Sequence, residues 1–130
     1  MLMAPPRLDI RIILANGATV GPIKIALLEA IVATGSITAA VRSLEISYRY
    51  AWRLAQSIND MLRTPALVTE VGGNQRGGSK LTATGKQLVA IYHAIQSQAH
   101  TASVNELHML NAMTRARKPP TRAVEPTEKL

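Results

Sequence analysis

Apolar residues recur along this chain with two different periods, and the switch between them divides it into elements. Leu8, Ile10, Ile12 and Leu14 alternate with Asp9, Arg11 and Ile13, the two-residue period of a half-buried strand. Asn16-Gly17 follows as a turn signal. From Gly21-Pro22 the period lengthens. Ile25, Leu28, Ile31 and Val32, with Leu27 beside them, make the broad stripe of a buried helix whose first position tolerates proline. Gly35 is placed to end that helix in a left-handed conformation. Ser36 can cap a second helix with Ile37, Ala40, Val41 and Leu44 inward, and Ser47 a third after a turn of three or four residues. In the third helix Ala51, Ala55, Ile58 and Leu62 face inward, while Tyr48, Arg49, Trp52, Arg53 and Gln56 lie opposite, and Thr64-Pro65 stops it. Two short capped helices across so short a turn are the pattern of a helix-turn-helix.

The remaining chain predicts a brace for that pair. Ala66 to Val71 reads as a strand, residues 72–78 as a glycine-rich tip carrying Arg76, and Ser79-Lys80-Leu81 as the return strand of a β-hairpin wing. Thr82 or Thr84 starts a long last helix, Thr84 with Gln87 fitting a capping box. Leu88, Tyr92, Ile95, Ala99 and Ala102 step by 4, 3, 4 and 3, a seam narrow enough to pair with another helix, and Val89 and Ile91 widen it toward the core. The expected fold class is therefore mainly α with a small β-sheet: a winged helix-turn-helix with a long C-terminal dimerisation helix. One domain is expected over residues 1–113, its last helix running from about 84 to 113. The proline-containing, aperiodic residues 114–130 are expected to form a disordered basic tail.

Composition narrows the function classes. The absence of cysteine removes disulfides, thiolate zinc sites and thiol nucleophiles, and fits a reducing cytoplasm. No apolar run approaches the ~20 residues needed to cross a bilayer. The first residues lack a signal-peptide cleavage pattern, so a soluble intracellular protein is expected. The net charge of +7 is concentrated: residues 42–86 hold seven basic groups against three acidic ones. Such an excess favours a polyanion, most simply nucleic acid.

The candidate residues follow from that charge. Arg49 and Arg53 share a helix face with Gln56 and carry guanidinium forks able to pair with guanine or phosphate. Tyr48, at the helix start, can reach a phosphate through its hydroxyl. Trp52 shares the DNA-facing set by position but is read mainly as a packing residue, as aromatics at helical spacing usually are. Ser36 and Ser47 are caps first, at helix N-termini that also favour phosphate. Arg76 and Lys80 suit contacts from the hairpin to backbone phosphates or the minor groove. The run Gly73 to Lys80 is not a P-loop, because its serine precedes the lysine and no helix starts there. His93, His100 and His108 are separated by two helical turns, about 10 Å, too far for two of them to share a metal within one helix. With no paired carboxylates or Ser/His/Asp set, neither catalysis, metal nor cofactor is expected. The partners expected are duplex DNA and a second copy, not a membrane. A protein-interaction module and an oxyanion sensor are the alternatives.

Several of these residues also resemble a known family. Gly35-Ser36-Ile37, Ile46-Ser47-Tyr48, Ala51-Trp52, Gly72-Gly73 before Gly77-Gly78, and Leu81-Thr82 before Gly85 are similar to the N-terminal domain of ModE-type molybdenum-dependent transcriptional regulators. The resemblance covers roughly residues 8 to 100, and its ISYxxAW and glycine-wing pieces go beyond the winged-helix pattern shared with LysR-type regulators. It implies a dimeric winged helix-turn-helix on a pseudo-palindromic operator. The family's molybdate-binding C-terminal region is not matched here and its oxyanion loop motifs are absent. DNA binding is therefore the implied property, and molybdate a partner this chain does not support.

Overall fold

The structure, a computed structural model, describes residues 5–70 and 78–115. Four helices and two two-stranded antiparallel sheets are found there: β1 (Ile12–Ile13), β2 (Thr19–Val20), α1 (Pro22–Thr34), α2 (Ile37–Leu44), α3 (Tyr48–Met61), β3 (Leu67–Glu70), β4 (Gly78–Leu81) and α4 (Ala83–Ala112). The expected alternation holds over 8–13, with Leu8, Ile10 and Ile12 half-buried and Asp9, Arg11 and Ile13 exposed, but Leu14, expected on the inward side, is exposed. Only Ile12 and Ile13 pair, with Val20 and Thr19. The reason lies in the partner of residues 8–10, which is a helix. Gln96 donates to the Leu8 carbonyl at 2.8 Å and Tyr92 to the Ile10 carbonyl at 2.7 Å, so α4 satisfies a backbone that a third strand would otherwise pair.

Local signals set the helix boundaries. Pro22 opens α1, and Gly35, at φ +87°, closes it with its N–H on the Ile31 carbonyl. The Ser36 and Ser47 hydroxyls accept from the Ala39 and Tyr50 amides, each at 3.0 Å, and so cap α2 and α3. Residues 45–47 join those two helices. Glu45 takes the left-handed conformation at φ +56° that a glycine would adopt more readily. Thr82, not Thr84, caps α4, its hydroxyl accepting from the Gly85 amide at 3.1 Å. The same hydroxyl donates to the Pro65 carbonyl at 2.7 Å, a tertiary bond that Thr84 does not make.

Ile25, Leu27, Leu28 and Ile31 of α1 and Leu54 and Ile58 of α3 form the fully buried centre, with Ile37 and Ala40 of α2 packed beside them. Val32, expected inward, is 63% exposed: α1 already buries its other sides, and this position falls on the one left open. Leu62 lies just past the end of α3 and is half-buried, while Leu54 is the inward residue there that the spacing did not single out. Lys24 is also buried, its ammonium donating to the Thr19 carbonyl at 2.6 Å. Burial chiefly, and Arg11 next, holds its pKa below the ordinary lysine range.

Tyr92 departs most from expectation. It is 3% exposed and part of the domain's own core, not of an outer seam on α4. Burial raises its phenol pKa, and the bond to the Ile10 carbonyl partly opposes that rise. Tyr92→Phe leaves this carbonyl without its donor and is expected to lower stability by about 1–2 kcal/mol in urea unfolding. No loss would show that water replaces the phenol. Ile91, one position earlier, is 49% exposed instead of turned to the core.

Candidate nucleic-acid interface

The third helix presents two chemically opposite sides. Ala51, Leu54, Ala55 and Ile58 are buried, and Tyr48, Arg49, Trp52, Arg53 and Gln56 are all exposed. The inward set follows the helical period, so α3 is fixed in rotation about its axis and its polar side must face out. Tyr48 and Trp52, 51% and 40% exposed, meet edge to face with ring centroids 6.0 Å apart. Trp52 also borders a cleft between α3 and the β3–β4 hairpin, over Ile37, Ala55 and Leu67. It therefore combines packing with an accessible edge.

The N-terminal part of α3 is the cationic part. Among the described residues, none pairs with Arg49 or Arg53 in an ion pair or hydrogen bond, nor with Arg42 on the exposed side of α2. Asp60 sits near the other end of the helix and weakens the positive field there. Ser36 and Ser47 are spent on backbone amides, so their hydroxyls act as caps, and only further capacity is left for a ligand. Lys80 is exposed on β4, across from Val68. Arg76 lies outside the described residues.

Asn59 and the β1–β2 turn belong to this surface and had no sequence signal as part of it. The Asn59 side chain accepts from the Ala66 and Leu67 amides at 2.8 and 3.1 Å and donates to the Leu67 carbonyl at 3.0 Å. One amide thus ties α3 to the start of the hairpin. The β1–β2 turn is held on the other flank, where Asn16 accepts from the Ala18 amide and donates to the Met61 carbonyl. Asn16, Gly17 and Ala18 line an open cleft with Arg53, Gln56 and Asp60. Asparagine before glycine reads as a turn, and nothing local tells which helix end that turn will touch.

The hairpin is fixed to the helix pair by backbone as well. Leu67 to Glu70 pair in register with Leu81 to Gly78, Gly78 bridges to Ser36, and the Ser79 amide donates to the Gly35 carbonyl at 3.1 Å. The start of α2 and the base of the hairpin are one hydrogen-bonded unit.

The histidines build nothing comparable. His93 reaches Glu29 at 3.1 Å across α4 and α1, and no group of three metal-ligating side chains occurs among the described residues. No described helix is long and apolar enough to cross a membrane.

Comparison with known proteins adds an independent line. The chain is 43% identical over 82 residues to the molybdenum-pterin-binding protein MopB of Rhodobacter capsulatus, covering 63% of this chain and 30% of that protein. It is 35% identical over 98 residues to the molybdenum transport protein ModE of Azotobacter vinelandii, covering 75% and 36%. It is 32% identical over 71 residues to the DNA-binding transcriptional dual regulator ModE of Escherichia coli K12, covering 55% and 27%. The chain is related in sequence to ModE and Mop proteins. It spans about a third of the length of these relatives, and no family model matches it. None of the three relatives is named as an enzyme.

Proposed function

We propose that this chain is the DNA-binding part of a transcriptional regulator, a winged helix-turn-helix. In this reading α3 enters the major groove and the β3–β4 hairpin lies along the flanking backbone. The observation that carries it is the exposed Tyr48–Gln56 face with two arginines unpaired among the described residues, set opposite a buried apolar face. A helix so placed offers Arg49 and Arg53 to base edges or phosphates from its first two turns, where such helices make their contacts. The named activity of the E. coli relative supports the same function, and the relatives' names make molybdenum-linked genes the proposed targets. Molybdate binding is not proposed for these residues.

We further propose that two copies act together on a pseudo-palindromic site with half-sites about 34 Å apart, one turn of the duplex. The test is retention of duplex DNA across salt. Four cations per copy (Arg42, Arg49, Arg53 and Lys80) give an expected slope of log K against log salt of about −3.5 per copy. Affinity independent of salt would overturn the reading in favour of a protein-interaction module. Selection from random duplexes should return two related half-sites.

A further inference from the structure

The cleft between α3 and the β3–β4 hairpin has a volume of about 350 Å³ and no role in the reading above. Ligand pockets run from about 300 to 1,000 Å³, so it is small but has room for a ring. Its floor is apolar, made by Ile37, Ala55 and Leu67, all buried, with Trp52 beside them. Its walls are preformed. Asn59 ties α3 to the Ala66 and Leu67 backbone through three hydrogen bonds, and the Ser79 amide ties β4 to the Gly35 carbonyl. A site held in this way needs little ordering when a ligand enters.

Two polar groups of the cleft lack partners. Ser79 is 6% exposed, yet its hydroxyl has no hydrogen bond among the described residues. No sealed side-chain oxygen or nitrogen there goes unsatisfied, so this hydroxyl opens into the cleft it lines. Asp60 is the second, with no ion pair or hydrogen bond among the described residues. It is the one charged side chain among the described residues lining the cleft. It also stands in the last turn of α3, at the negative end of the helix dipole. A cation is favoured at that point and an anion is repelled.

We propose that this cleft binds a small aromatic cation, an amine or amidine carried on one or two rings. The ring covers the apolar floor beside Trp52, the charged nitrogen faces Asp60, and the Ser79 hydroxyl takes a polar substituent. Trp52 and Gln56 line the cleft and also belong to the face assigned to DNA. Cation and duplex then compete for one surface, and each lowers affinity for the other by the same factor. This competition rests on the DNA reading of α3, whereas binding of the cation does not.

Trp52 is the single tryptophan of the chain, so its fluorescence reports on the cleft. Benzamidine added to the full chain without DNA is expected to change that emission saturably, with half-saturation at about 1 mM or below. Benzoate has the same ring and the opposite charge, and should bind at least about tenfold more weakly. Asp60→Asn, at an exposed position, should weaken benzamidine by about tenfold with the circular dichroism unchanged. Ser79→Val, which puts methyl groups into the cleft, should weaken it by about fivefold. Ser57→Ala, in the open cleft on the other side of Asp60, should change nothing. No saturable change up to about 10 mM benzamidine, equal binding of benzoate, or an unaffected Asp60→Asn chain would overturn the inference.

With a selected duplex present, saturating benzamidine should lower affinity for it by about fivefold or more. Asp60→Asn should abolish that effect, which separates the cleft from probe held by the DNA itself. Unchanged affinity at saturating probe would overturn the competition. Probe bound while no duplex is retained would refute the DNA reading and leave the site standing. Duplex retained with no probe bound would do the reverse.

Discussion

Replacing Arg49 or Arg53 by alanine is expected to weaken binding to a selected duplex by roughly ten- to a hundredfold each, while urea unfolding moves by less than about 0.5 kcal/mol. Both effects have one cause. The guanidinium groups are exposed and unpaired among the described residues, so truncation removes nothing the fold uses. A bidentate contact to a base contributes about 1–3 kcal/mol of discrimination, which sets the size of the loss. Arg49→Lys and Arg53→Lys sharpen the test. A lysine keeps the charge and loses the planar fork, so lysine should rescue binding to random duplex while leaving selected sites poorly distinguished. Equal affinity for the selected site in both alanine variants, with the fold intact, would remove α3 as the reading element.

The largest effect on stability is expected at Gly85, in the first turn of α4. A methyl group there would overlap the Ala66 carbonyl oxygen and crowd the Leu81 side chain. That oxygen cannot swing aside, since it accepts from the Thr82 amide at 2.9 Å and belongs to a fully buried residue. Gly→Ala inside a helix normally gains up to about 1 kcal/mol, but here the steric cost prevails. Gly85→Ala should lower stability by about 2–3 kcal/mol, as overpacking of a closed site does. Gly17→Ala is the control. Gly17 has φ +85° but nothing within 4 Å of a new methyl, so only the backbone penalty of about 1–2 kcal/mol applies. If Gly85→Ala proved no worse than this control, α4 would be free to shift away from Ala66.

Much of this architecture was legible because its signals are local. Gly35, Ser36, Ser47 and Pro22 mark helix ends through their own backbone preferences or hydroxyls, and each helix end lies where they put it. The inward face of α3 was largely legible for the same reason, as the periodic positions 51, 55 and 58 are buried, with Leu54 the one added to them. What escaped depends on which elements meet. Thr82 and Thr84 are equivalent as caps until the Pro65 carbonyl selects one of them. Tyr92 and Ile91 are adjacent apolar positions, and only the residue 8–10 segment lying on α4 decides which turns inward. Glu45 sits at a left-handed position with no glycine to announce it. The candidate site divides in the same way. Its arginines were readable from charge and period, whereas Asn59 and the Asn16 turn beside them depend on contacts to other segments.

The hydrogen bond from the Ser79 amide to the Gly35 carbonyl has a consequence for how such a surface can change over time. It joins the hairpin to the helix pair through main-chain atoms alone, and the bridge between Ser36 and Gly78 does the same beside it. The angle between the two parts is then indifferent to the side chains displayed on the exposed face of α3. Apart from Trp52, which packs beside the hairpin, the side chains of that face such as Arg49 and Arg53 carry no duty in holding the frame, so they are free to drift. A lineage could exchange one set of exposed residues for another and acquire a new preference while keeping the same scaffold.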